Sequence, residues 1–520
     1  MSSDTTNQHR QDTQPVLTGH LIVLSLAALI TLFSRFFHPN LFGYFEDDFF
    51  YYAQVARNIA AHRGSTFDGV HLTNGYHPLW MLVILVLYEI FPGATFFIAV
   101  QVVSFIGILA FYFGIFRCLR YLHLPYHLIP LTALLLSLHA LLLFRFGMEV
   151  TLALPFGIWA VASILNPAFR WTSQQTVAYG LLACAAVLSR LDGIFLVAAL
   201  LAAQLFSSQS PANLPRPRSL LLFSLCFLPF LAYLLVNLRM FHTPVPVSGM
   251  AKQLKPLLPP SSTTLHSLVL PFDRTKAAFV YPALLTIFAG VISFRRSARD
   301  LPQHHRAILL ALFVFPVLHL GSLSLLSDWT VWPWYFYSLI YAVLASAVVL
   351  LLPLRNLAPT KPRWRLSAST LTVLTGSYLI FLGAYSLFKK PAKTSQLAVF
   401  VADFSLKHPG LYAMGDDAGS TAFRSDQHFL QLEGLMMDTD YIHLLRERTP
   451  LREMLDRYHA DYYVALVIER TGPCFITHEP AQAGAHSPRL PGRICAQPIA
   501  QDVQDGVSVG IFRASDVELP

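Results

Sequence analysis

Between Val16 and Phe388 the chain returns repeatedly to unbroken apolar stretches, and this recurrence limits its fold more than any other feature. A helix needs about 20 apolar residues to cross a bilayer, where lipid offers no partner for backbone N–H and C=O groups. Stretches at or near that length fall at 16–36, 95–119, 126–144, 150–165, 176–191, 193–208, 219–238, 276–294, 307–327, 333–353 and 366–388. Charged residues make up 13% of the chain, against about 25% in soluble domains. Mean hydropathy, at +0.51, points the same way. The fold class that follows is a polytopic α-helical membrane protein with about eleven transmembrane helices. The first stretch is too long for a signal-peptide core, and no small-residue cleavage site follows it. It reads as a retained span behind a cytoplasmic tail of residues 1–15.

Pro78–Phe91 is apolar but only about 14 residues long, which suits an interfacial or re-entrant segment better than a span. Counting it would reverse the sidedness of everything after it, so the basic loops must decide. With 78–91 left out and the N-terminus in the cytoplasm, five basic loops fall on the inner side. They carry Arg117 and Arg120; Arg170; Arg216 and Arg218; Arg295, Arg296, Arg299 and Arg306; and Arg355, Lys361, Arg363 and Arg365. That is the positive-inside pattern. It also accounts for the net charge of +8 without nucleic acid. The expected site is the cytoplasmic (inner) membrane of a bacterium, with residues 16–388 in the membrane domain. The acidic first loop 37–77, Glu149, Arg190 with Asp192, loop 239–275 and Ser327–Phe336 then all face outward, as does everything after about Lys389.

From Lys389 to Pro520 charge rises and the apolar runs shorten. "LYAMG" (411–415), "HFLQLEG" (428–434), "DYYVALVI" (461–468) and "VSVGIF" (507–512) read as strands, while "DYIHLLRE" and "LREMLDRYH" read as helices. Residues 389–520 are thus expected to form an extracytoplasmic α/β domain. In an oxidising compartment Cys474 and Cys495 are expected to pair. "MGDDAGS" (414–420) lacks the lysine of a phosphate-binding loop and reads as a turn from strand to helix. Nothing in this segment has metal-ligand spacing.

The densest negative charge in the chain, Glu46, Asp47 and Asp48, opens "EDDFFYYAQVARNIA" just after the first span. Acids at the start of a helix are favoured electrostatically and can cap its free N–H groups. Three in a row beside Phe45, Phe49, Phe50, Tyr51 and Tyr52 exceed that need. Crowded, poorly hydrated carboxylates have raised pKa values and suit general-base work or a divalent cation. The following loop, "GSTFDGVHLTNGYHPLW", adds His71, Asn74, Tyr76 and His77 among turn-forming Gly-Ser, Asp-Gly and Asn-Gly pairs. Arg145, Glu149, Arg190 and Asp192 stand at span ends, where an ionisable residue marks either a functional site or an ion pair that fixes helix packing. Ser248, Lys252 and Lys255 put cations on the outer side, where a lipid phosphate would meet them. Asp328, Trp329, Trp332, Trp334 and Tyr335 crowd one outer boundary as an aromatic belt. Together these acids, cations and aromatic walls suit a polyprenyl phosphate carrying a sugar.

The stretch "EDDFFYYAQVARNIAAHRGSTFDGVHLTNGYHPLW", with "GME", "RLDG" and "PVSGMAK" further on, resembles the GT-C superfamily of integral membrane glycosyltransferases. It is similar to a bacterial subgroup related to the mycobacterial terminal arabinofuranosyltransferases and, more distantly, to the aminoarabinose and mannose transferases. The resemblance implies a polyprenyl-phosphate sugar donor such as decaprenyl-phosphate arabinose. It also implies a cell-envelope glycan or lipid acceptor and an inverting transfer at the outer membrane face. It places the catalytic acid of the first loop on Asp48, with Asp47 beside it, and leaves open which of the two is the base. Lys252, Lys255, Ser248 and Arg190 would bind the donor phosphate. Glu46, Tyr51, Asn74, Tyr76, His77, Glu149, Asp192, Trp332 and Trp334 would line the pocket. Phe49 stands where relatives carry a second acid, so no cofactor is required and a divalent cation stays open, with Glu46 as a substitute ligand.

A transporter or flippase of a lipid-linked sugar is the competing class. Such proteins carry internal repeats and polar residues near mid-membrane. Here the two halves show no repeat, and the ionisable residues gather at one boundary. A non-catalytic scaffold with a glycan-binding C-terminal domain is the third class.

Overall fold

The computed structural model describes residues 3–33, 45–126, 128–207, 217–269, 274–356, 393–425, 427–466, 469–504 and 507–520. The expected span 366–388, the domain boundary after it, and Arg216, Lys361, Arg363 and Arg365 lie outside these residues. The other ten expected spans are all helical. In order the helices are α1 (Ser3–Phe33), α2 (Asp47–Ala60), α3 (Pro78–Ile90), α4 (Ala94–Tyr121), α5 (Ile129–Phe144), α6 (Val150–Leu165), α7 (Ser173–Ser189) and α8 (Ile194–Ser207). There follow α9 (Pro217–Leu225), α10 (Leu228–Phe241), α11 (Val247–Lys252), α12 (Ser262–Val269), α13 (Arg274–Ser297), α14 (Gln303–Leu326) and α15 (Leu339–Leu351). The expected tail 1–15 is helical from Ser3 onward and continuous through Pro15 with the first apolar stretch.

Length separates these helices. Among the described residues, Ala94–Tyr121, Ala277–Asp300, Gln303–Leu326 and Pro333–Leu354 are each long and apolar enough to cross a membrane. The pair α9 and α10 makes a fifth, bent by 47° where Pro229 starts the second helix. Helices such as α5 and α6, at 16 residues, reach only about 24 Å.

Contacts gather several helix ends into two groups. The C-terminal ends of α4 and α6 meet the N-terminal end of α7 around Arg117, Asn166 and Gln175. His305, near the start of α14, packs its Nε2 against Leu165 O at that same basic end. Glu149, Arg190 and Asp192 lie together at the opposite end. Helix α3 both starts and finishes there. His77 before it accepts from Leu191 N, and Phe96 and Phe97 after it stack among Phe45 and Phe49. Its two flanks therefore lie near the same group of acidic residues. The phenylalanines after the acids, with Phe96, Phe97 and Phe423, form the aromatic knot that anchors α2.

The C-terminal segment contains α16 (Lys393–Lys407), β1 (Leu411–Met414), α17 (Ala418–Arg424), β2 (His428–Gln431), α18 (Thr439–Arg446), α19 (Leu451–Arg457) and β3 (Tyr462–Ala465). Strands β4 (Glu469–Thr471), β5 (Cys474–Glu479), β6 (Leu490–Ile494), β7 (Ala500–Gln504), β8 (Val507–Arg513) and β9 (Val517–Glu518) complete it. One sheet has the order β2-β1-β3-β8-β7, with its first three strands parallel; the other, β4-β5-β6-β9, is antiparallel. The second sheet escapes a sequence reading because its strands are short and β6 holds both Pro491 and Gly492. Its register pairs Phe475 with Ile494, which sets Cys474 opposite Cys495, and these two form a disulfide.

This domain sits on the acidic end of the helical bundle. Trp329 pairs with Ala483 as an isolated bridge, and Asp328 accepts from Ser261 Oγ (2.6 Å), Thr263 Oγ1 (3.2 Å) and His486 N (3.0 Å). One carboxylate thus ties two membrane-domain loops to the C-terminal domain. Gly75 in the first loop lies against the backbone of Leu435 so closely that no Cβ could be fitted there.

Candidate active site

Helix α2 lies between the two parts of the chain, and its first two turns distribute four polar side chains. Its start, Glu46, has extended backbone and makes no side-chain cap, and neither Asp47 nor Asp48 caps the helix. The capping reading of the acids is thereby replaced. Asp47 accepts instead from Gly419 N (3.1 Å) and Ser420 N (2.6 Å) in the C-terminal domain. Tyr51 turns the same way. Its hydroxyl donates to Glu433 Oε2 (3.4 Å) and accepts from Gln431 Nε2 (3.2 Å). Tyr52, one position on and so about 100° around the helix, faces the bundle, donating to Glu149 Oε2 (3.4 Å) and accepting from His77 N (3.2 Å).

Asp48, half-buried at the start of α2, feels the charge of Lys252. Burial pushes its carboxyl up to about 7; Lys252 pulls it down, and Asp47, Glu149 and Asp416 push it further up. Asp47 is also raised by burial, opposed by the Ser420 and Gly419 amides. Glu433 is held well above the usual carboxylate range by burial, with Asp416, Asp48 and Glu479 adding to the shift. Burial also raises Glu479, to about 7. Lys252 stays protonated: burial opposes its charge, but the Tyr335 oxygen and Asp48 outweigh that and lift its pKa. Its Nζ donates to Tyr335 Oη (2.9 Å) and lies 5.7 Å from the Trp329 ring centroid. Ser248 is one turn earlier on α11, on the same face.

Other expected site residues serve the frame. Asn74 donates to Val245 O (3.3 Å) and accepts from Val247 N (3.0 Å), so it fixes the loop that carries Lys252. Tyr76 shares a 2.7 Å hydrogen bond with Ser65 inside the first loop. His77 Nε2 is 3.9 Å from Glu149. Trp332 and Trp334 stack at 5.9 Å, with Trp334 against Phe146.

Two cations expected at the donor phosphate are engaged elsewhere. Lys255, buried, donates to the carbonyls of Pro256, Leu257 and Pro259, closing its own loop. Arg190, 1% exposed, bonds Glu149 through Nη1 (2.5 Å) and Asp192 through Nη2 (2.8 Å). Asp192 also accepts from Tyr337 Oη (2.7 Å) and meets His319 Nε2 at 3.0 Å. The packing alternative for this Arg–acid pair is the one observed: it ties together the ends of α6, α7, α14 and the start of α15. Among the described residues no group of three or more His, Cys, Asp or Glu side chains is arranged to hold a metal ion.

The residues missed by sequence reasoning come from the C-terminal domain. Asp416, Gly419 and Ser420 belong to the turn "MGDDAGS", and Gln431 and Glu433 to "HFLQLEG". The available signal was their acidity within an otherwise apolar strand-and-turn pattern. Nothing local says that these acids meet Asp47 and Asp48, more than 360 residues earlier.

No family model and no curated protein sequence matches the chain. Solved structures do. ArnT from Cupriavidus metallidurans in the apo state is 15% identical, with 86% of this chain and 93% of that chain covered and a TM-score of 0.52. The same protein bound to undecaprenyl phosphate is 14% identical, covering 96% and 98%, with a TM-score of 0.51. The Archaeoglobus fulgidus oligosaccharyltransferase tethered with an acceptor peptide is 11% identical, covering 86% and 69%, with a TM-score of 0.50. At these identities the likeness is one of fold alone: an apolar helical bundle with a C-terminal sheet-containing domain.

Proposed function

We propose that this chain is a glycosyltransferase that moves a sugar from a polyprenyl-phosphate donor to a hydroxyl of a cell-envelope glycan or lipid. In this reading the reaction occurs at the extracytoplasmic membrane face, with inversion at the anomeric carbon. What supports it most is the burial of Asp48 at the start of α2, which raises its carboxyl to about 7, together with the charge of Lys252 acting on it. A base works best when its pKa lies near the working pH, because it is then both ionised and able to hold the proton it takes. The acceptor oxygen forms its bond to the anomeric carbon as its proton passes to Asp48. The bond from that carbon to the phosphate oxygen breaks, and the electron pair leaves with polyprenyl phosphate. Lys252 supplies the positive charge that stabilises the leaving phosphate. The stacked Trp332 and Trp334 offer an apolar wall for the first isoprene units. The ArnT structure, which has this fold and holds undecaprenyl phosphate, supports the choice of donor.

Purified protein in nanodiscs, given synthetic undecaprenyl-phosphate pentoses and hexoses with an envelope extract, should release undecaprenyl phosphate and form a new glycosidic product by mass spectrometry. Movement of intact lipid-linked sugar across vesicles with no such product would replace this reading with a transporter.

A further inference from the structure

The C-terminal domain reaches α2 at two points, Asp47 of the acidic motif and Arg57. Gly419 N and Ser420 N donate to the two oxygens of Asp47. Ten residues along α2, Arg57 donates to Ala422 O (3.0 Å), Phe423 O (3.1 Å) and Ser425 O (3.3 Å), with its guanidinium 5.2 Å from the Phe423 ring centroid. Between these points the two backbones approach so closely that a Cβ on Gly419 would stand 2.6 Å from Asp47 O and 2.9 Å from Tyr51 Cδ1. A 372-residue separation is therefore closed by a glycine, a carboxylate and a guanidinium, each fitted to the other segment.

We propose that Asp47, Gly419, Ser420 and Arg57 are positioning residues for the transfer reaction: they clamp α17 to α2 and so fix the neighbouring Asp48 carboxylate in place. The C-terminal domain is then a built part of the catalytic centre rather than a separable accessory, and the two aspartates have unlike tasks. Each oxygen of Asp47 already accepts from an amide that lowers its basicity, whereas no such amide opposes the rise at Asp48, which makes Asp48 the better proton acceptor. The alignment is strict because Asp47 and Asp48 are adjacent on one helix, so any tilt of α2 moves both. Displacement of a catalytic group by about 1 Å costs on the order of 100-fold in rate. The inference rests on Asp48 as general base.

The test compares wild type, Gly419→Ala, Arg57→Gln and Asp48→Asn in full-length protein. The probe is the synthetic undecaprenyl-phosphate sugar that supports wild-type turnover. Gly419→Ala is expected to lower kcat by about 100-fold, and Arg57→Gln by at least about tenfold, with the donor KM within about twofold. Arg57→Gln is expected to keep the folded fraction of wild type, and kcat is reckoned per folded molecule for both. A purely structural role would lower the folded fraction and leave kcat per folded molecule unchanged, which would overturn the proposal. Because Gly419→Ala can impair folding, Arg57→Gln, remote from the substrate, keeps the test decisive. Full activity in both clamp variants with an inactive Asp48→Asn sinks the clamp alone; full activity in Asp48→Asn sinks the reading of the site beneath it.

Discussion

Replacing Asp48 by Asn should make this protein less active and, above neutral pH, more stable. The carboxyl is raised from 3.8 to about 7 by burial and by its acidic neighbours. Between those values the folded protein holds a proton that the unfolded chain has released. The group's contribution to stability is therefore most favourable below the unfolded pKa and declines as pH rises through the window. It levels off above about 7. A tenfold change in proton affinity corresponds to about 1.36 kcal/mol, so the whole decline is on the order of 4 kcal/mol. Partial exposure of the side chain puts the real figure below that. Asn keeps the shape and removes the ionisation, so the variant and wild type should melt together near pH 4 and diverge toward pH 8, with Asn the higher. Glycosyl transfer should fall about 10²- to 10⁴-fold, the usual contribution of a general base, and the acid limb near pH 7 should vanish from what remains. Differential scanning fluorimetry from pH 4 to 8.5, alongside undecaprenyl-phosphate release, measures both. Melting curves that stay parallel across this range would show that Asp48 does not titrate in a buried site. Transfer above a tenth of wild type would show that it is not the base.

Lys252→Met should weaken undecaprenyl-phosphate binding by about tenfold or more. Because Lys252 lowers the Asp48 pKa, the acid limb of any residual activity should also move to higher pH. Arg190→Met leaves Glu149 and Asp192 buried without their cation and should cost about 3–5 kcal/mol, read as a lower melting temperature. Adding Glu149→Gln and Asp192→Asn should recover part of that loss. Cys474→Ser should destabilise the second sheet by about 3 kcal/mol, while folded protein retains its turnover. Since Lys252 supplies the counter-charge, EDTA should leave turnover within about twofold; a loss reversed by added Mg²⁺ or Mn²⁺ would show that the acids hold a cation.

The apolar runs and basic loops were enough to mark out the helical bundle and sort its two ends, because hydropathy and charge act over each segment by itself. The same holds for the alternation that revealed β1, β2, β3 and β8. The acid triplet could be seen as exceptional for the same reason: three carboxylates beside five aromatic rings exceed what a helix start needs. The roles within it could not be separated that way. Asp47 and Asp48 are adjacent and chemically identical, and only the amides of Gly419 and Ser420 tell them apart. Lys252 and Lys255 are likewise three residues apart on one short segment. One donates to Tyr335, while the other closes a turn on its own carbonyls. Hydrogen bonds to partners hundreds of residues away depend on how the domains pack. That packing is a property of the whole chain, and no local pattern carries it.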